Sequence, residues 1–245
     1  MASWDYETPY REHVRRLIDS HDGENEAMAA AVGGEFGAIG TIERDLLVQW
    51  GLADDAYLVD IGCGSGRLAQ PLDRSGFAGR YLGTDVVPEL LAHARKSTDR
   101  PDWRFELADG LVIPEADGQV DMVAFFSVFT HLLHEHSYVY LREARRVLKP
   151  GGRVVFSFLE FAVPGHWPAF DARVEGGQWA VGSLDMFMSR DAVTAWAEHL
   201  EMTVLAIERG DTAHIPLSAP VVFDNGTVVE GMGALGQSVC VLEKP

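Results

Sequence analysis

The sequence predicts an α/β fold: a mixed sheet of seven strands with an antiparallel last strand, helices on both faces of the sheet, and a helical cap at the N-terminus. Short apolar segments alternate with segments of helical periodicity from residue 57 to residue 208. That alternation is typical of a parallel sheet covered by helices. No helical segment separates the last two strand candidates, so we expect these two strands to pair antiparallel.

Four strands are expected in the first half of the main domain because each is a short apolar or alternating run. They are Tyr57–Ile61, Arg80–Thr84, Trp103–Ala108 and Val120–Phe126. Two helices lie between them, at Arg67–Arg74 and at about Pro88–Lys96, and a proline suits the first turn of the second helix.

The second half begins with a helix from about Ser137 to Leu148, which Lys149-Pro-Gly-Gly152 ends. We expect a fifth strand at Arg153–Phe158, a long loop over 159–188, and a helix from an N-cap at Ser189 through His199. The last strands are Met202–Glu208 and Ser238–Leu242, and Asn225-Gly226 predicts a hairpin over Val221–Val229.

The length indicates one main domain with a small addition. We expect a cap or lid over residues 1–50, with a helix from about Ile39 to Trp50, and a main domain over residues 51–245 with insertions at about 159–188 and 211–236. An aromatic stripe in the prefix could act as a lid, as core packing or as a contact in a homodimer. Its members are Trp4, Tyr6, Tyr10 and His13.

A formal charge of -17 at pH 7 disfavours nucleic acid as a partner. The apolar runs are far shorter than the ~20 residues of a membrane span, and the N-terminus is charged rather than signal-like. We therefore expect a cytoplasmic protein with no membrane partner. Cys63 and Cys240 are too few for a disulfide framework or a zinc site.

The segment Asp60-Ile-Gly-Cys-Gly-Ser-Gly66 is the most informative stretch, because its glycines let the backbone turn off a strand and approach a ligand closely. A dinucleotide site would place a third glycine at position 67, where the chain has Arg67. The spacing instead suits an adenosyl ligand without phosphates. Asp85 ends the second strand, where a carboxylate can accept from both hydroxyls of a ribose, and Asp109 follows the third strand.

Successive motifs resemble those of the class I S-adenosylmethionine-dependent methyltransferases, which have a Rossmann-like fold. They are Val59-Asp-Ile-Gly-Cys-Gly-Ser-Gly-Arg-Leu68, Gly83-Thr-Asp85, Ala108-Asp-Gly110, Val120-Asp-Met-Val123 with Phe129-Thr-His-Leu132, and Leu148-Lys-Pro-Gly-Gly152. The resemblance implies S-adenosylmethionine as the cofactor and S-adenosylhomocysteine as its product. It implies cofactor-binding roles for Asp60, Gly62, Cys63, Gly64, Gly66, Asp85, Val86, Asp109, Gly110 and Ser127.

A base is needed if the acceptor is a hydroxyl, and histidine suits that role at pH 7. His131, just after the fourth strand, is the first candidate, although a histidine there could also cap a helix or line the pocket. His166 in the insertion is the second candidate and His214 is a weaker third. His131-Leu-Leu-His-Glu-His136 does not place three ligands on one helical face, so no metal is expected.

We expect an enzyme that transfers a methyl group, by in-line displacement, to a small or medium-sized acceptor at oxygen. Two alternatives stay open: a protein or peptide methyltransferase, and a protein that binds S-adenosylmethionine without catalysis. A nicotinamide oxidoreductase ranks last because of Arg67. The Gly33-Gly34 pair would allow close approach to the carboxylate of the cofactor.

Overall fold

The computed structural model of the protein describes residues 7–176 and 185–245. Twelve strands are found in this part of the chain. They are β1 (Tyr57–Ile61), β2 (Arg80–Asp85), β3 (Arg104–Leu107), β4 (Val120–Phe125), β5 (Leu148–Glu160), β6 (Phe187–Met188), β7 (Thr203–Glu208), β8 (Ile215–Pro216), β9 (Val221–Val222), β10 (Val228–Val229), β11 (Met232–Gly233) and β12 (Ser238–Glu243).

The central sheet has the strand order β3-β2-β1-β4-β5-β12-β7. Strands β1 to β5 are parallel, whereas β12 pairs antiparallel with both of its neighbours. The predicted mixed sheet of seven strands with an antiparallel last strand is therefore confirmed. The short strand β6 adds to the end of β5, and the predicted hairpin is formed by β9 and β10.

Eight helices lie in the described residues, and none of them has the length and apolar character that a membrane span needs. They are α1 (Glu7–Asp19), α2 (Glu24–Ala31), α3 (Phe36–Gln49), α4 (Ala69–Arg74), α5 (Pro88–Lys96), α6 (His134–Val147), α7 (Trp167–Gly176) and α8 (Arg190–His199).

The sheet is covered on both faces because its strands are apolar at successive positions. Leu58 packs in the core shared with α3, α4 and α5, whereas Val59 packs in the core shared with α6 and α8. The same alternation separates Ala124 from Phe125. This period of two is what a strand buried on both faces requires.

Helices α1 and α2 form a smaller layer that packs on α5 and on the end of β2. Val14, Met28 and Leu90 are buried together there. The hydroxyl of Ser65 donates to the Met28 carbonyl at 2.9 Å, which ties this layer to the turn after β1. Helix α3, in contrast, belongs to the main core of the sheet.

The expectation of a long loop over 159–188 was wrong for its first half. Strand β5 extends to Glu160, and α7 follows from Trp167. Four aromatic rings, from the residue after β5, from α7 and from β6, lie with contacting centroids 5.0 to 6.0 Å apart and supply the apolar contacts that hold this helix in place. They are Phe161, Trp167, Phe170 and Phe187. Residues 177–184 of the insertion lie outside the described part.

Candidate functional site

A cavity of about 540 Å³ opens at the carboxyl ends of the parallel strands. One wall, the glycine side, comes from the ends of β1 and β2 and the segments that follow β1, β2 and β3. It comprises Ile61, Gly62, Gly64, Asp85, Val86 and Ala108. A second group of lining residues, the β12 side, comprises Ser127, His131, Leu159, Ala169, Leu235 and Gln237. The first three helices supply the roof, which includes Tyr10, His13, Val32, Gly33 and Glu43.

The glycine turn leaves no space for side chains at two positions. Gly62 and Gly64 have φ angles of +71° and +55°. A Cβ atom at Gly62 would lie 2.5 Å from the Cγ2 atom of Val128, and one at Gly64 would lie 2.6 Å from the Cγ1 atom of Val32. The turn therefore presents bare backbone to the cavity.

Asp85 is a buried carboxylate in the cavity wall. Its Oδ2 atom accepts from the N–H of Gly64, and its Oδ1 atom accepts from the N–H of Val87, both at 2.9 Å. Burial raises the pKa of Asp85 to about 6, and the backbone N–H groups oppose that rise. Each oxygen keeps a lone pair for a ligand, so this carboxylate fits a pair of neighbouring hydroxyls.

The other predicted cofactor residues on this side lie outside the cavity wall. They are Asp60, Cys63, Gly66, Asp109 and Gly110. Asp60 is buried and accepts from the Tyr81 hydroxyl at 2.7 Å, and burial raises its pKa to about 7. Asp60 and Tyr81 therefore stabilise β1 and the turn after it from within the protein.

Arg67 lies in the cavity wall and fastens the roof to the glycine side. Its guanidinium pairs with the buried Glu43 carboxylate at 2.7 Å and donates to the Val32 carbonyl at 2.7 Å. Burial raises the pKa of Glu43, and Arg67 opposes that rise. Arg67, which in the sequence argued against a dinucleotide site, thus pairs with Glu43 of α3.

Ser127, directly after β4, has a left-handed backbone with a φ of +58°. A non-glycine residue in that conformation stores roughly 1–3 kcal/mol of strain and persists where its surroundings fix it. Its N–H donates to the Ser157 hydroxyl at 2.8 Å, and its carbonyl accepts from the Thr130 hydroxyl at 2.7 Å. Strained backbone of this kind concentrates at functional sites.

Gln237, the residue before β12, reaches the same wall, and sequence reasoning missed it. Its side-chain amide contacts both Ser127 and Ser157. The available signal was the antiparallel direction of the last strand, because that direction brings the start of the strand to the edge where the parallel strands end.

His131 lines the cavity, as predicted for a residue after the fourth strand. Its ring lies 5.5 Å from the ring of Tyr10 on α1, centroid to centroid. Burial and the nearby Asp85 carboxylate raise the pKa of Tyr10. His13 faces the same cavity. The remaining aromatic residues of the predicted stripe, Trp4 and Tyr6, lie outside the described residues.

The structure does not bring His166 to the cavity. Its ring is buried beside β5, where Nδ1 accepts from the Glu160 N–H and Nε2 lies 2.8 Å from the Gly236 carbonyl. These contacts fix the position of the loop that precedes β12. His214 also lies away from the cavity wall, and burial lowers its pKa.

Within residues 7–176 and 185–245, no three side chains of His, Cys, Asp or Glu are placed to hold a metal ion. His134, in the predicted histidine cluster, begins α6 and lies 3.0 Å from the Phe187 carbonyl through Nε2. That contact joins α6 to β6.

The sheet order, the glycine turn and the buried Asp85 match the fold of the class I S-adenosylmethionine-dependent methyltransferases. Residues 59–156 match the family model described as a methyltransferase domain. This match covers β1 to the middle of β5, which includes the whole glycine side of the cavity.

Among curated proteins, the ubiquinone biosynthesis O-methyltransferase of Ruegeria pomeroyi is 35% identical over 122 residues, which cover 48% of this chain and 46% of that protein. The matched part of this chain spans less than half of the length of such curated relatives.

Two solved structures have the same fold over nearly the whole chain. The methyltransferase in a complex with the Trm112 activator of Haloferax volcanii has a TM-score of 0.66 at 18% identity and covers 98% of both chains. The magnesium protoporphyrin IX methyltransferase of Synechocystis PCC 6803 with bound SAH has a TM-score of 0.59 at 13% identity and covers 96% of this chain and 94% of that one. At these identities the likeness concerns the fold.

Proposed function

We propose that the protein transfers a methyl group from S-adenosylmethionine to an oxygen of a small or medium-sized acceptor and releases S-adenosylhomocysteine. The observation that carries the proposal is that one cavity joins a glycine turn with a buried carboxylate to a second wall with histidine, serine and glutamine side chains. A cavity of about 540 Å³ suits the reacting parts of two small molecules.

The glycine side fits an adenosyl ligand. Asp85 is the group that would accept from both ribose hydroxyls, and the bare backbone at Gly62 and Gly64 would lie along the methionine part. Val86, Ala108, Asp109 and Gly110 follow β2 and β3, where the adenine would lie. Asp60, Cys63 and Gly66 would support the turn from behind. The bound SAH of a structural neighbour is in keeping with this assignment.

When bound, S-adenosylmethionine supplies a methyl carbon whose bond to sulfur breaks, with the electron pair staying on sulfur, as the bond to the acceptor oxygen forms. The chain's own task is to align the acceptor and exclude water, which can contribute up to ~7–11 kcal/mol to lowering such a barrier. His131 would take the proton from the acceptor hydroxyl. His13, on the roof of the same cavity, is a second group that could do so.

In this proposal, the helices that form the roof of the cavity act as an N-terminal cap. Because α1 and α2 pack on α5 and Arg67 donates to the Val32 carbonyl, the cap would cover the cavity on the side of the cofactor. Tyr10 of the cap, whose ring lies beside that of His131, would then contact the ligand.

The test combines binding and turnover. Calorimetry should show binding of S-adenosylhomocysteine to the wild-type protein and much weaker binding to the Asp85→Ala variant. Labelled S-adenosylmethionine, incubated with the protein and a metabolite extract, should label a small molecule. NADH binding of comparable strength would contradict the proposal, label in the macromolecular fraction would favour a protein or peptide acceptor, and binding without any labelled product would favour a non-catalytic role.

A further inference from the structure

Ser127 and Gln237 on the β12 side of the cavity form a hydrogen-bonded ring with Ser157, which is buried behind them. The backbone N–H of Ser127 donates to the Ser157 hydroxyl at 2.8 Å. The Ser157 hydroxyl therefore accepts there and has its own proton to donate elsewhere. It donates to the Oε1 atom of Gln237 at 2.7 Å.

This second bond sets the orientation of the Gln237 amide. With Oε1 held by Ser157, the Nε2 atom faces the Ser127 hydroxyl at 3.1 Å. The two lengths agree with this assignment, because ~2.7 Å is typical of O–H···O bonds and ~3.0 Å of N–H···O bonds. Gln237 consequently donates to Ser127.

Two donors are left over when the ring is complete. The Ser127 hydroxyl accepts from Gln237, so its own proton points elsewhere, and the Nε2 atom of Gln237 carries a second proton. No partner for either proton is found among the described residues, and both side chains line the cavity. The left-handed backbone of Ser127 fixes the position of the first donor.

The location of these donors relates them to the acceptor. Ser127 follows β4, and Gln237 precedes β12, and both belong with His131 to the β12 side of the cavity. The glycine side already has the backbone and the carboxylate that an adenosyl ligand needs. The donors on the β12 side are thus available to the molecule that receives the methyl group.

We propose that Ser127 and Gln237 together bind a carbonyl or carboxylate oxygen of the acceptor. This inference rests on the proposed function and names the substrate class of the same site: a molecule in which such an oxygen lies close to the hydroxyl that is methylated. Two N–H or O–H donors converging on one oxygen give a directional site. The free amide proton of Gln237 offers nothing to an ammonium group, which is itself a donor.

The experiment uses the wild-type protein saturated with S-adenosylhomocysteine, whose binding is first measured by calorimetry. Ligand-observed NMR then compares matched pairs of small aromatic compounds: 2-hydroxybenzoate with phenol, 2-hydroxyacetophenone with 2-ethylphenol, and further pairs built in the same way. We expect the carbonyl or carboxylate member to bind at least tenfold more tightly than its partner.

Variants assign that preference to the donor pair. Gln237→Leu removes both amide protons and should bring the ratio of the two affinities in each pair close to one. Its affinity for S-adenosylhomocysteine should stay within twofold of wild type. Gln237→Glu should disfavour the carboxylate member most strongly. Ser157→Ala frees the amide to rotate and should reduce the preference, and Ser157→Thr should retain it. Gln119→Leu, at an exposed position remote from the cavity, is the matched control and should behave as wild type.

The possible outcomes separate this inference from the function on which it rests. No preference in the wild-type protein, including no binding of any pair, would overturn the donor pair as an acceptor site. A preference that survives in Gln237→Leu would do the same, as would a Gln237→Leu variant that loses affinity for S-adenosylhomocysteine, since the donors would then belong to the cofactor. If wild type itself fails to bind S-adenosylhomocysteine, the proposed function falls first and takes this inference with it.

Discussion

The carboxylate of Asp85 accepts the N–H of Gly64 at 2.9 Å, across 21 residues of sequence. The end of β2 is thereby fastened to the turn that follows β1. A group expected to bind the ligand also holds the shape of the ligand's site, so replacing it changes two properties together.

Asp85→Asn should weaken the binding of S-adenosylhomocysteine by at least tenfold and should not stabilise the free protein. The native carboxylate accepts two backbone N–H groups, from Gly64 and Val87, and an amide can accept only one of them. Calorimetry and thermal unfolding measure the two effects. Unchanged affinity would show that Asp85 does not contact the ligand.

Asp60→Asn should stabilise the free protein by about 1–2 kcal/mol at pH 8, because it removes a buried charge and keeps an acceptor for the Tyr81 hydroxyl. The pKa of Asp60 is raised from 3.8 to about 7, so the folded protein holds this proton more tightly than the unfolded chain. This group therefore lowers the free energy of unfolding as pH rises from about 4 to 7.

The advantage of Asp60→Asn over wild type should consequently be small near pH 4.5, grow through pH 7 and then level off. Urea unfolding across that range measures it. An advantage that does not change with pH would contradict the assignment of the raised pKa to Asp60.

Gly62→Ala should destabilise the protein and abolish cofactor binding, because the new Cβ atom would lie 2.5 Å from Val128. Gly118→Ala is a matched control: its φ of +64° is close to the +71° of Gly62, but nothing lies within 4 Å of its Cβ position. Thermal unfolding of both variants separates crowding from backbone strain. Equal losses would attribute the effect to strain alone.

The double variant Gly62→Ala with Val128→Ala tests the same contact from the other side. Removing the Val128 methyl groups should recover part of the lost stability. Additive losses in this cycle would argue against a direct clash.

His131→Asn should lower the rate of methyl transfer by about 100-fold or more while leaving the affinity for S-adenosylhomocysteine near that of wild type. His166→Asn should lower thermal stability instead, because the ring of His166 holds the chain at Glu160 and Gly236 away from the cavity. Single-turnover transfer from labelled S-adenosylmethionine distinguishes the two. If His131→Asn leaves the rate unchanged, His131 is not the base and His13 becomes the next candidate.

Local patterns were enough for the elements whose signals are local. The helix predicted at Pro88–Lys96 and the strand at Tyr57–Ile61 have these bounds in the structure, because a proline in the first turn and a glycine after an apolar run are short-range signals. Helix α7 was missed because its apolar residues pack on Phe161, which follows β5, and on Phe187 of β6.

The same distinction applies to the site. Asp85 and the glycines could be placed from the sequence, since each directly follows or ends a strand. Gln237 could not, because its role depends on Ser127, 110 residues earlier, and on the insertion of β12 between β5 and β7. His166 was a candidate by composition alone, and its hydrogen bonds with the backbone are visible only in three dimensions.

The position of β12 in the sheet affects how the protein folds during its synthesis on the ribosome. Among the described strands, β7 pairs only with β12, which is made 30 residues after β7 ends. The parallel strands that shape the cofactor wall emerge much earlier, so a nascent chain is able to form that wall first. The wall proposed for the acceptor is completed only when β12 pairs between β5 and β7. During synthesis, the cofactor wall can therefore form before the acceptor wall.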